Sequence, residues 1–99
     1  MEVEPEKINT EQHFWDAFGN VETEISARWI VRFCQERKRG WEPFSKSEIE
    51  QFYNQHGYVH FMFNKLLSRD QRYVRVEGDA YSVTPEFVDR CYQASPLVG

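Results

Sequence analysis

Three histidines and two cysteines are the side chains most able to hold a metal or act as nucleophiles. His56 and His60 stand four apart, a spacing that grips a metal ion when both lie on one helix. Gly57 falls between them and breaks such a helix, and no neighbouring cysteine or paired acid completes a ligand set. His13 is remote in sequence. The expectation is surface or capping histidines and no metal site. Cys34 and Cys91 lack Cys-x-x-Cys spacing and read as reduced core thiols. No serine or cysteine lies in a nucleophile-turn pattern. Gly19, Gly40, Gly57, Gly78 and Gly99 are too scattered to cradle a phosphate. Glu48 and Glu50 are accounted for by helix capping and surface exposure. Nothing argues for an enzyme or a cofactor. A different chemistry is open to the polar side chains further along. Asn64 has the amide geometry to pair bidentately with adenine, and His60 and Ser68 can reach base edges. Lys65, Arg69, Arg72, Arg75 and Lys46 can meet phosphates.

A length of 99 residues suits a single domain with its own core, without help from disulfides or metals. No apolar run approaches the ~20 residues of a membrane span, and the acidic start Met1–Glu6 is unlike a signal peptide. The expected location is cytoplasmic, with no membrane partner. Charge is uneven. Residues 1–24 balance to −6, whereas residues 25–99 balance to +2. That mild excess is less basic than a committed nucleic-acid binder usually is.

Residues 1–8 read as a flexible acidic tail, and residues 9–95 as one domain. Thr10 can cap a short helix over 11–18, with Phe14, Trp15 and Phe18 on one side. The spacing of Val21, Ile25, Trp29 and Phe33, widened by Ile30 and Cys34, predicts a helix over 21–39 that stops at Gly40. Trp41–Phe44 contains Pro43 and suits a brief edge strand. Ser45 and Glu48 form a capping box that opens a helix running to about His56. A further helix is expected over 59–69, carrying Val59, Met62, Phe63, Leu66 and Leu67. The period then changes to two. A turn at Gly78–Asp79 sets Val76 opposite Tyr81 and Val74 opposite Val83, all on one face. Thr84-Pro85-Glu86 opens a last helix, which Ser95–Pro96 ends before fraying terminal residues.

The order of elements over residues 21–92 resembles the winged helix-turn-helix superfamily of transcription regulators. Tyr81–Phe87 looks like a wing's second strand running into the Thr-Pro-Glu start of a C-terminal helix. The resemblance implies an α+β, mostly helical fold. A three-helix core would carry a two-stranded wing, with extra N- and C-terminal helices. It also implies that Phe61–Ser68 is a recognition helix and Arg72–Thr84 the wing. On that footing the chain is a DNA-binding regulator of double-stranded DNA.

Two features depart from the pattern. The wing tip Glu77-Gly78-Asp79 places acids where phosphate would be met. Phe61, on or near the reading face, fits a protein contact at least as well. The alternative is a winged-helix protein-interaction module without DNA binding. Phe14, Trp15 and Phe18 either pack on the chain's own core or cross to a second subunit as a homodimer contact.

Overall fold

The computed structural model describes residues 3–12, 14, 17–19, 21–57 and 72–97. The described residues form three α-helices and a three-stranded antiparallel sheet, an α+β arrangement.

Helix α1 (Val21–Arg37) runs through the core. Ala27, Ile30, Val31 and Cys34 are fully enclosed, and Trp29 and Phe33 nearly so. Val21, at the head of the expected row, is exposed. The helix stops two residues early, at Lys38, whose φ of +55° begins the left-handed exit that Gly40 continues at +59°. Strand β1 (Phe44–Ser45) lies later than the expected 41–44. The carbonyls of Glu42 and Pro43 accept from the Arg37 guanidinium, which holds that stretch out of the ladder.

Helix α2 (Lys46–Gln55) starts on the capping box. Ser45 Oγ accepts from the Glu48 amide at 3.2 Å, and the Ser45 amide donates to Glu48 Oε2 at 2.7 Å. Ile49 and Phe52 point inward. Gly57 follows at φ +86°, a backbone state that costs glycine little.

Strands β2 (Val74–Glu77) and β3 (Ala80–Val83) form the hairpin in the expected register, Val74 on Val83 and Val76 on Tyr81. Val74 is fully buried, and Arg75 and Glu77 lie on the exposed side. Strand β1 joins the same sheet, with Phe44 on Tyr81 and Ser45 on Ala80, so the strand order is β1-β3-β2. Helix α3 (Pro85–Ala94) opens with Thr84 accepting from the Phe87 amide, and it buries Phe87, Val88 and Cys91.

The N-terminal residues correct two expectations. Residues 3–8 are not a detached tail. Pro5–Lys7 is a 3-10 turn, and Pro5 and Ile8 are buried. Ile8 bridges Pro96, the Asn9 amide donates to Ser95 O at 2.7 Å, and the Leu97 amide donates to Lys7 O at 3.0 Å. The same contacts hold Ser95, Pro96 and Leu97, the last of which was expected to fray. Nor do the described residues of 11–18 form a helix. Glu11, Gln12, Ala17 and Phe18 lie in turns and bends, and Thr10 donates to Gln35 instead of capping. Apolar spacing suited a helix there, but the backbone is claimed by tertiary partners. The Phe14 amide, for example, donates to Glu24 Oε1 at 2.8 Å.

Candidate functional site

Six of the expected binding residues, His60, Phe61, Asn64, Lys65, Ser68 and Arg69, lie outside the described residues, as does Trp15. The others can be placed. Lys46 is the first residue of α2, and its side chain is 57% exposed with Nζ 3.8 Å from Glu50 Oε1. Such an exposed pair leaves a lysine available to a stronger anion. Arg75 is exposed opposite Ser82 and makes no ion pair among the described residues.

Charge along the hairpin changes sign toward its tip. Ser45 pairs with Ala80, and Ala80 pairs with Glu77, so these three form one row across the sheet. Lys46 therefore adjoins a row that carries an acid. Asp79 is exposed in the turn beyond it.

Arg72, expected to meet phosphate, has a partner within the chain. Its Nε donates to Glu86 Oε2 at 2.7 Å, and its Nη2 lies 2.7 Å from Glu86 Oε1. This is the two-pronged fork by which arginine binds a carboxylate. Glu86 also receives Arg90 Nη2 at 3.4 Å. The hydrogen bond from Arg72 and the two guanidinium charges hold the Glu86 carboxyl below its ordinary value. The Arg72 guanidinium is thus paired with Glu86 while its side chain stays 46% exposed.

Phe14 and Phe18 are corrected as subunit contacts. Phe14 is fully buried and Phe18 is 6% exposed, with the Phe18 ring edge-on to Tyr73 at 4.9 Å. Both rings are spent on the chain's own core and offer no face to a second copy.

Several structurally important residues escaped the sequence reading. Glu24, read as a dipole-complementing acid, is 5% exposed and anchors the Phe14 amide. Gln35 Nε2 donates to the carbonyls of Pro5 and Ile8 at 2.9 and 2.7 Å. Those partners are backbone atoms, which carry no residue-type signal. The Glu86–Arg90 pair was visible as an i, i+4 spacing.

Cys34 and Cys91 are both buried and free. Burial pushes the Cys34 thiol up to about 12, against a smaller opposing pull from Arg37. Cys91 is likewise raised by burial. Neither forms the thiolate that nucleophilic work requires. Among the described residues no group of three or more His, Cys, Asp or Glu is placed to hold a metal, and no helix is long and apolar enough to cross a membrane. Comparison with known proteins found no matching family model, no matching curated protein and no matching solved structure.

Proposed function

We propose that the chain is a non-enzymatic winged helix-turn-helix module that binds another macromolecule, and that protein is the favoured partner. The observation that carries the architecture is the pairing of β1 with β3. A strand between the first two helices thereby joins a hairpin that follows a further segment and precedes a last helix. That is the order expected of a winged helix, in which the helix read from sequence over 59–69, outside the described residues, would complete the core.

Charge supports the choice of partner. Residues 58–84 hold Lys65, Arg69, Arg72 and Arg75 against Asp70, Glu77 and Asp79. Arg72 is already paired with Glu86. Binding to duplex DNA rests on displacing counterions from several phosphates, and a nearly balanced face does this poorly. Phe61 would supply an aromatic anchor suited to a protein surface. A cytoplasmic location accompanies the reading, supported by two unpaired thiols.

Double-stranded DNA is the second reading. It is favoured by the exposure of Lys46 and Arg75 and by the residue types of Asn64, Lys65 and Arg69. Fluorescence anisotropy with a labelled mixed-sequence duplex, titrated from low to moderate salt, separates the two. The favoured reading expects no saturable binding even at low salt. Saturable binding that weakens steeply with salt and is lost in Arg75→Glu would replace protein with DNA as the partner.

A further inference from the structure

We infer that Glu86 is an electrostatic link through which the base of the β2–β3 hairpin and the N-terminal arm, the described residues before α1, move together. Arg72 lies two residues before β2, and Glu86 is the second residue of α3. Their forked contact ties the hairpin's entry to that helix. Arg90, one turn along α3, touches the same carboxylate and donates through Nη1 to the carbonyl of Ala17 at 2.7 Å. A single carboxylate thus stands between a guanidinium that holds the hairpin and one that holds the end of the arm.

The aromatic packing reinforces this arrangement. The Arg72 and Arg90 guanidiniums each lie 5.5 Å from the centroid of the Tyr73 ring. Two like charges over one ring repel unless an anion lies between them, and Glu86 supplies it. Tyr73 meets Phe18 at 4.9 Å, and Phe18 meets Phe87 at 5.6 Å. The arm, the hairpin base and α3 therefore share one cluster of charge and rings. A second, uncharged tie also holds the hairpin. Thr84 Oγ1 donates to Arg72 O at 2.6 Å, and the Thr84 amide donates to Tyr73 O at 3.1 Å. That tie does not reach the arm; the Tyr73–Phe18 ring contact does, but it holds no charge, so removing the Glu86 charge isolates the electrostatic link. Coupling of this kind is reciprocal. A partner that grips the hairpin shifts the arm, whatever that partner is.

Native-state amide exchange on the full chain tests the link, using Glu86→Gln, Arg90→Met and the double variant. Glu86→Gln keeps the size of the side chain and removes its charge. It should speed exchange of the hairpin amides and of the Ala17 amide, bonded to Phe14 O, by a similar roughly twofold to fivefold, the range of a partly exposed ion pair. The Phe52 and Tyr53 amides of α2 should keep their rates. Arg90→Met should speed Ala17 most and the hairpin amides less, and adding Glu86→Gln should then change Ala17 no further. Faster hairpin exchange with Ala17 unmoved would overturn the inference. So would equal acceleration in α2, which marks simple global destabilisation, or a full effect of Glu86→Gln on Ala17 in the absence of Arg90.

Discussion

Phe44 and Tyr81 are register partners across β1 and β3, and their rings lie 6.4 Å apart at 27° from parallel. Phe44 is 2% exposed and also meets Phe33 of α1 edge-on at 5.4 Å. One side chain therefore fastens the short strand to both the hairpin and the central helix.

Phe44→Ala should cost about 3–5 kcal/mol, the usual range for deleting a buried phenylalanine. The check is urea unfolding followed by circular dichroism. A loss below about 1 kcal/mol would mean that the β1–β3 seam contributes little to the fold.

The Gln35 amide is one of several anchors of residues 3–12, beside the Ile8–Pro96 bridge and its flanking hydrogen bonds. Gln35→Leu removes the side-chain donor of the Ile8 carbonyl and one of the two donors of the Pro5 carbonyl, the Ile8 amide being the other. Buried groups stranded in this way cost about 1–3 kcal/mol. Limited proteolysis should cut the variant within residues 3–12 before the rest of the chain, while the parent resists. Equal resistance would show that the Ile8–Pro96 bridge and its neighbours suffice alone.

Acid should weaken the Arg72–Glu86–Arg90 cluster in a defined sense. The folded carboxyl of Glu86 titrates below its ordinary value, because Arg72 and Arg90 favour its charged form. Its contribution is fully present above the unfolded value, ~4.3, and is lost as pH falls through the lower folded one. Urea midpoints measured down through that window should fall more steeply for the parent than for Glu86→Gln. Parallel curves would remove Glu86 from the acid response.

The two thiols should be inert in the native state. With Cys34 raised to about 12 and Cys91 also raised, both buried, neither offers a thiolate near neutral pH. Alkylation followed by mass spectrometry should give no adduct in buffer and two in denaturant. Rapid native labelling would mean that the core opens locally.

What the sequence disclosed and what it concealed divide by distance along the chain. The capping box spans the four residues Ser45–Glu48, and the hairpin register follows from alternating Val74, Val76, Tyr81 and Val83 around Gly78–Asp79. Short-range geometry determines both. The arm was misread because its partners lie far off in sequence and many are backbone atoms, such as Gln35 to Pro5 O or Asn9 to Ser95 O. Arg72 looked like a free cation because Glu86, fourteen positions on, becomes its neighbour only after the hairpin folds back. Phe14 and Phe18 have spacing that suits a helix or an interface, and burial in the core decides between them. The proposed reading face is legible only in residue types, since residues 58–71 lie outside the described structure.

Backbone chemical shifts and sequential amide contacts across residues 58–71, measured by NMR on the full chain, bear most directly on the winged-helix reading. That reading requires continuous helical shifts over about 59–69, ending before Arg72 enters the hairpin. Extended shifts there, or cross-strand contacts from those residues to the open edge of β1 or β2, would leave the sheet without its third core helix and the proposed binding module without its reading face.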